Sequence, residues 1–313
     1  MYLNKISVIR AIAIITVVFG HSIILYDPSW GLYTPGYHSD FLRIVKKIIN
    51  LYQMPLFFSL SGFLFYFSVL KEESLHIFLK KKLKRIMFPY FIICFLWMDP
   101  IKLLLHVPGY DNIIGIIKDQ LLFKNNGHLW YLPTLFLIFV LYKILFKIKL
   151  RNNKYFDLIL LLISFVLNHY SYVFYMNLIF YYQYYFYLGY FIHKYNFNIK
   201  YTWMTPICII ILLIIGINTP SATVITVLST MIIILFYHTK YYKFETSIFL
   251  QKISKNSFGI YLFHSPLIYI TFTYANNLMP VYVLTINLFL WGYVAYKITD
   301  YIKQTNYKFI IGE

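Results

Sequence analysis

The feature that most constrains this chain is a series of uninterrupted apolar segments. Several have the roughly 17–25 residues that a helix needs to cross a bilayer. About ten segments are predicted, at residues 7–26, 48–70, 87–106, 128–147, 157–171, 173–192, 202–217, 220–238, 257–275 and 279–299. Because the runs are continuous rather than alternating, they indicate helices and not a barrel.

Composition agrees with a membrane solvent. The chain of 313 residues is 60% hydrophobic and only 12% charged, whereas soluble domains are roughly 45–50% apolar and about 25% charged. We therefore predict an all-α polytopic membrane protein, a bundle of about ten transmembrane helices that forms a single domain over residues 1–313. Both cysteines, Cys94 and Cys208, lie in apolar runs and are predicted to be buried.

The basic residues predict an orientation. Most of the 28 Lys and Arg fall in alternate connections and in the tail after Asp300, so these sides are expected to be cytoplasmic, with both termini inside. The other side keeps few basic residues, chiefly Arg43, Lys46, Lys47, Lys102, Lys118 and Lys124, which are assigned to outer loops.

The net charge of +17 is distributed as the inner loops of a membrane protein require, so no nucleic-acid partner is expected. Within it, residues 71–87 place apolar residues at helical spacing against a Lys/Arg face, which predicts an amphipathic segment along the inner interface. The basic side chains there, Lys84 and Arg85 among them, suit either lipid head groups or a phosphorylated cosubstrate from the cytoplasm.

Ionisable residues at membrane depth usually mark a site, a pathway or an internal pair. The first segment, "SVIRAIAIITVVFGHSIILY", carries Arg10 and His21 eleven residues apart. That spacing is about three turns, so both lie on one helix face, separated by ~16 Å along the axis. Snorkelling to head groups explains Arg10 alone, and a structural hydrogen bond explains His21 alone, but the pair on one face favours a functional role.

Other polar residues fall in or beside the apolar segments. Gln53 and Ser61 lie in "YQMPLFFSLSGF", where small residues also suit close helix packing. His128 and Trp130 open the fourth segment, and an interfacial aromatic belt would also explain Trp130. His264 lies in the ninth segment, two residues before Pro266.

Two acidic residues, Asp27 and Asp99, each precede a proline near an expected outer helix end, and helix termination is the expected role of both. No Gly-rich phosphate loop, GxSxG elbow or zinc-type Cys/His spacing is present, so no metal is expected.

Taken in order, these motifs resemble the acyltransferase 3 family of ten-helix integral membrane acyltransferases. The resemblance rests on the Arg10–His21 spacing, "YQMPLFFSLSGFLF", "KRIMFPYF", "GHLWYLPTLF", "FYLGY" and "SFGIYLFHSPL", and it spans nearly the whole chain. The "QMPLFFSLSGF" form is most similar to the fucose 4-O-acetylase-like or polysaccharide O-acetyltransferase branch.

The resemblance implies an O-acyltransferase of the bacterial cytoplasmic membrane. It would move an acetyl group from cytoplasmic acetyl-CoA to a hydroxyl of a cell-surface or lipid-linked glycan. Arg10 and His21 match the family's Arg-x10-His motif and would be the catalytic pair. Arg85 matches the basic residue before the third span, and His264 matches the late "YLFH" histidine.

Several alternatives stay open at this stage. His21 would act either as general base or as a nucleophile that carries the acetyl group, while Arg10, Lys84 and Arg85 would bind the phosphates of the donor. His264 and His128, with Ser61, Gln53 and Trp130, would support the site. A transporter or flippase for lipid-linked saccharides is the competing class, and an inactive structural partner is a third; the acceptor sugar and the oligomeric state are not predicted.

Overall fold

A computed structural model describes residues 2–71, 73–110, 112–124, 126–146, 153–169, 176–196, 221–239 and 247–313, together with residues 210 and 214. These residues contain helices and no strand. The helices are α1 (Tyr2–Ser22), α2 (Asp40–Leu70), α3 (Leu75–Leu104), α4 (Ile113–Leu121), α5 (Gly127–Leu145), α6 (Lys154–Leu167), α7 (Met176–Lys194), α8 (Ala222–His238), α9 (Ile248–Tyr274) and α10 (Pro280–Lys303).

The all-helical membrane class is confirmed. In the described part of the chain, five helices are long and apolar enough to cross a bilayer, namely α2, α3, α5, α10 and residues Lys5–Ser22 of α1. The count of ten spans and the cytoplasmic placement of the termini stay predictions. The predicted span 202–217, with Cys208, lies outside the described residues apart from positions 210 and 214.

Two helices begin well before their apolar runs because a serine caps each N-terminus. Helix α2 begins at Asp40 instead of residue 48, because Ser39 accepts a hydrogen bond from the backbone N–H of Leu42 through its Oγ. Helix α9 begins at Ile248 instead of 257, because Ser247 caps the N–H of Leu250 in the same way.

Helix α3 is continuous but changes its winding twice. Two π-helical segments, Leu83–Met87 and Cys94–Met98, each end just before a proline, Pro89 and Pro100 respectively. Proline has no N–H to donate to the carbonyl four residues earlier, so the local ladder is re-paired with wider turns. The predicted amphipathic segment 71–87 thus runs directly into α3, and its place at the inner interface stays a prediction.

The helices form two compact units. The first unit contains Met1–Ile49, Lys82–Pro133 and Tyr242–Glu313, and the second contains Asn50–Lys81 and Thr134–Tyr241.

In the first unit, α9 packs against both α1 and α10, which also contact each other. Gly259 of α9 lies so close to Thr299 of α10 that a Cβ at Gly259 would approach the Thr299 side chain to 2.3 Å. The C-terminal end of α1 is fixed by Asn287, a fully buried residue of α10 whose Nδ2 donates to the carbonyl of Ser22 at 3.2 Å. This bond holds the residue next to His21 against α10.

In the second unit, α2 and α7 cross at backbone contact. A Cβ on Gly62 would lie 1.8 Å from the carbonyl oxygen of Phe186, and a Cβ on Gly189 would lie 1.9 Å from the carbonyl oxygen of Ser59. The two glycines therefore face each other's helix reciprocally. Close packing by small residues, expected for this stretch of α2, accounts for Gly62.

A buried carboxylate joins α6 to α7 in the same unit. Asp157 is fully buried and accepts hydrogen bonds from Tyr187 at 2.7 Å, from the Lys194 ammonium and from Tyr195. Because the charge of Asp157 is paired and both of its oxygens accept hydrogen bonds, we interpret this cluster as a structural link between α6 and α7.

We expect Gly189→Ala to destabilise the protein by about 1–3 kcal/mol, since the added methyl group meets a backbone carbonyl that cannot rotate away. Thermal unfolding in detergent measures the effect. The matched control is Gly292→Ala in α10, where the nearest atom to the new Cβ is a Val18 methyl at 3.5 Å. The control should be as stable as the parent or more stable. Equal stability of both variants would contradict the close crossing.

Candidate functional site

Three histidines from three helices meet in the first unit. His21 ends α1, His128 lies in the first turn of α5, and His264 lies in the middle of α9. Their ring centroids are 5.0 Å apart for His21–His264, 5.4 Å for His128–His264 and 6.3 Å for His21–His128. In sequence, His128 follows His21 by 107 residues and precedes His264 by 136 residues, so only the fold brings the three rings together.

A directed chain of hydrogen bonds fixes the proton positions on two of these rings. The Nδ1 atom of His264 lies 2.9 Å from the carbonyl oxygens of both Ile260 and Tyr261. A carbonyl oxygen only accepts, so His264 carries its proton on Nδ1, and its Nε2 is an acceptor when the ring is neutral. The Nδ1 of His21, at 2.8 Å from that Nε2, must therefore be the donor.

This chain has a chemical consequence for His21. A neutral imidazole with its proton on Nδ1 has a lone pair on Nε2. His21 is partly exposed and lines a cavity, whereas His264 is fully buried behind it. His264, itself fixed by backbone carbonyls, thus orients His21 as a base. The third member of a catalytic triad orients its histidine in the same way.

Pro266 explains how His128 joins the cluster. A proline inside a helix cannot donate to the carbonyl four residues earlier, which here belongs to Leu262. That carbonyl accepts instead from Nε2 of His128, at 3.3 Å. The hydroxyl of Tyr261 returns a hydrogen bond to the backbone carbonyl of His128. The "YLFHSP" stretch of α9 therefore supplies both the relay histidine and the anchor for His128.

The cavity beside the rings has a volume of about 250 Å³. Its wall combines two of the histidines with aromatic and small residues: His21, Ile24, Trp30, Gly127, His128, Trp130, Ser265, Ile268, Tyr269 and Phe272. Trp130, predicted as a supporting residue, belongs to this wall. Trp30, Ser265 and Tyr269 were not among the predicted site residues, because nothing in their local sequence separates them from interfacial aromatics or packing residues.

A buried lysine next to His21 was also missed. Lys46 of α2 is only 3% exposed and lies close enough to His21 and to Asp27 for their charges to interact. Its assignment to an outer loop is wrong, since α2 begins at Asp40. Helical spacing in the sequence could have indicated its burial, because Lys46 shares a buried helix face with Leu42 and Ile49.

Asp99 and Lys102 require the same correction. Asp99 does not end a helix, because α3 continues through Pro100 to Leu104. It is 4% exposed, and Lys102, assigned to an outer loop, is 3% exposed. Asp27 does follow the expected pattern: it comes directly after the helical turn Ile24–Tyr26 and accepts from the N–H and hydroxyl of Ser29.

The remaining predicted residues lie as follows. Arg10 is half-buried on α1, eleven residues before His21. Lys84 and Arg85 are exposed on the first π segment of α3. The Arg85 backbone carbonyl, which Pro89 cannot pair with, contacts the C-terminal segment at Gly312, where a Cβ would approach it to 2.4 Å.

Gln53 and Ser61 belong to the second unit, which has no histidine of the cluster. Gln53 is buried and donates from Nε2 to Asn50 at 2.9 Å. Among the described residues, no group of three or more His, Cys, Asp or Glu side chains is arranged to hold a metal ion.

Comparison with known proteins identifies the family of this chain. The family model of the acyltransferase domain Acyl_transf_3 matches residues 3–298, which is nearly the whole chain. No curated protein and no solved structure matches the chain. The match includes α1, α5 and α9, from which the three histidines come. The chain therefore belongs to the acyltransferase 3 family and is a membrane acyltransferase.

Proposed function

We propose that this protein is an O-acetyltransferase that moves an acetyl group from cytoplasmic acetyl-CoA to a hydroxyl of a cell-surface or lipid-linked glycan. The observation that carries the proposal is the hydrogen-bond relay that leaves Nε2 of His21 as a base beside a cavity. Family membership favours this class over a transporter or flippase.

His21 would act on the acceptor hydroxyl. As the hydroxyl oxygen attacks the thioester carbonyl carbon, its proton passes to Nε2 of His21 and a carbon–oxygen bond forms. When the tetrahedral intermediate collapses, the carbon–sulfur bond breaks, and the proton moves from His21 to the departing thiolate. The Nδ1–H bond to His264 stabilises the positive charge that His21 carries between these steps.

A two-step route uses the same atoms. In it, Nε2 of His21 attacks the thioester carbon, the carbon–sulfur bond breaks, and coenzyme A departs as the thiolate. The acceptor hydroxyl oxygen then attacks the acetyl carbon, the bond from that carbon to Nε2 breaks, and the hydroxyl proton passes to the thiolate. The relay suits both routes because each needs the lone pair on Nε2. Trapping an acetylated His21 by rapid quenching and mass spectrometry would distinguish them.

Lys46 is the candidate for oxyanion stabilisation. The tetrahedral intermediate places negative charge on the former carbonyl oxygen, and a buried cation near His21 offers the opposite charge where water is excluded. His128, held by the Leu262 carbonyl, forms the far side of the same cluster and positions the rings.

The donor would enter from the cytoplasmic side. Acetyl-CoA carries phosphate groups, and Arg10, Lys84 and Arg85 are the cations proposed to bind them. The orientation, with both termini in the cytoplasm, follows from the positive-inside distribution of basic residues. The proposed location in a bacterial cytoplasmic membrane follows from the family resemblance.

Replacing His21 by alanine should lower acetyl transfer by about 10²–10⁴-fold, since the proton acceptor is lost. The assay measures transfer of label from acetyl-CoA to extracted surface glycan by the purified protein. His38→Ala, at an exposed histidine, is the matched control and should retain full activity. Full activity of the His21 variant would overturn the mechanism. Failure of the parent protein to bind acetyl-CoA would favour a transporter.

Replacing Lys46 by methionine should lower the turnover number by about 10²-fold, while the dissociation constant of acetyl-CoA stays within a factor of two. The neutral, similarly long side chain keeps the packing and removes the charge. Lys47→Met, at the exposed neighbouring residue, is the control and should behave as the parent. A larger loss of acetyl-CoA binding than of turnover would place Lys46 in donor binding and contradict the assigned role.

Pro266→Ala should leave the protein equally or more stable and lower its turnover about ten-fold. The new N–H pairs with the Leu262 carbonyl inside the helix, and His128 loses its acceptor. The control is Pro55→Ala in α2, whose freed carbonyl, that of Leu51, accepts from Ser229 in the second unit. Turnover of Pro266→Ala equal to that of the parent would show that the His128 anchor is not needed.

A further inference from the structure

A second cavity adjoins the histidine cavity in the first unit. Its volume is about 390 Å³, within the roughly 300–1,000 Å³ of ordinary ligand pockets. Trp30, Gly127 and Tyr269 line both cavities, so the two share a wall. The second cavity is otherwise bounded by the 108–110 turn and by α4. The residues that line only this cavity have no part in the proposed acetyl transfer.

A buried ammonium lies where the two cavities adjoin. Lys102 donates to the hydroxyl of Tyr110 at 2.8 Å, and its Nζ lies 4.2 Å from the Tyr110 ring centroid and 5.1 Å from that of Tyr269. A Cβ on Gly127 would lie 3.0 Å from this Nζ, and the φ of +52° at Gly127 disfavours any other residue. Because residue 127 is glycine, no side chain at this position covers the Lys102 ammonium on the side that faces the turn carrying His128.

Hydrogen bonds behind Lys102 hold the polar wall in place. Gln120 is 1% exposed and donates from Nε2 to Oδ1 of Asp99 at 3.1 Å. The Tyr90 hydroxyl donates to the Gln120 carbonyl at 2.9 Å, and Cys94 donates to Oε1 of Gln120 at 3.3 Å. The second oxygen of Asp99 is buried without a hydrogen-bond partner among the described residues. Leaving this buried oxygen unpaired in an apolar surrounding costs free energy, and an unpaired polar group of this kind calls for a functional explanation.

Helix α4 gives the cavity its other polar wall. Asn112 caps the helix through the N–H of Gly115, and Asp119 and Gln120 line the cavity. The opposite face is apolar and exposed: Ile113, Ile114, Ile117 and Leu121. This division predicts that α4 lies with its apolar face towards lipid and its polar face towards the cavity.

The chemistry of the lining selects a ligand class. The flat aromatic rings of Trp30, Tyr110 and Tyr269 offer surfaces for apolar C–H faces. The Asp119 carboxylate accepts hydrogen bonds and the Lys102 ammonium donates them. One lysine with Asp99 and Asp119 near it does not favour a phosphate group. Burial, with the charge of Asp99, raises the pKa of Tyr110, so its phenol stays protonated.

We propose that this second cavity is the acceptor subsite, and that it binds one sugar residue of a neutral, hydroxyl-rich saccharide through Lys102 and Asp119 against Trp30 and Tyr269, with Gln120 holding the polar wall behind them. The proposal rests on the acetyl-transfer function above. A hydroxyl of the bound sugar reaches across the shared wall at Gly127 towards Nε2 of His21. Lys102 thereby recognises the acceptor, while the donor cations lie elsewhere on the chain.

The test measures sugar binding without acetyl-CoA, so that it does not depend on acetyl transfer. Full-length protein in nanodiscs is titrated with a panel of p-nitrophenyl hexosides and pentosides, and tryptophan fluorescence reports binding through quenching by the nitrophenyl group. p-Nitrophenol alone controls for binding of that group. We expect at least one glycoside to bind, and Lys102→Met to weaken that binding about ten-fold or more.

Two further variants make the test decisive. Asp119→Asn, a near-isosteric change at a partly buried position, should weaken binding several-fold even if Lys102→Met fails to fold. Lys118→Met, at an exposed lysine of the same helix, should bind as the parent. Binding by no glycoside in the panel, or equal binding by parent, Lys102→Met and Asp119→Asn, would overturn the subsite. Glycoside binding without any acetyl transfer would support the subsite and count against the proposed reaction alone.

Discussion

The architecture of this protein depends on where backbone carbonyls find donors after a proline interrupts a helix. In a membrane no water can pair with such a carbonyl, so the protein must supply a donor. A carbonyl left unpaired there costs several kcal/mol. The carbonyl of Leu262, freed by Pro266, accepts from His128, and that of Leu51, freed by Pro55, accepts from Ser229. A constraint of folding thus becomes a means of placing side chains.

The histidine cluster uses this device for chemistry. Two ordinary carbonyls of α9 fix the proton of His264, and His264 in turn fixes the proton of His21. The reactive face of His21 is therefore set by backbone geometry rather than by a carboxylate. A neutral relay suits membrane depth, where a buried unpaired carboxylate would be costly. The proposed acetyl transfer needs only that this face meets a thioester and a hydroxyl.

The sequence predicted the membrane class and singled out the three histidines as candidates, because apolar runs of spanning length and ionisable residues within them are strong signals. Their relative placement was not predictable, since His21, His128 and His264 are joined only by the packing of α1, α5 and α9. The relay could not be predicted either, because it depends on which ring nitrogen faces a carbonyl.

The misassigned residues share one cause. Lys46, Asp99 and Lys102 were placed at loops or helix ends because charge and proline normally mark such places. The helices instead continue through them: Ser39 starts α2 early, and the π segment Cys94–Met98 carries α3 past Pro100. Lys102 lines a cavity, Asp99 accepts from Gln120 behind it, and Lys46 lies near His21, and none of these relations can be read from a one-dimensional pattern.

The tautomer of His21, on which the proposed base depends, is tested most directly by solid-state nitrogen NMR. Protein labelled with ¹⁵N-histidine in lipid bilayers gives separate signals for protonated and unprotonated ring nitrogens, and Ala variants of His21 and His264 assign them among the nine histidines. The relay predicts that, in the neutral state, both rings carry the proton on Nδ1 and none on Nε2. A His21 ring protonated on Nε2, with Nδ1 bare, would contradict the relay and the base assigned to it.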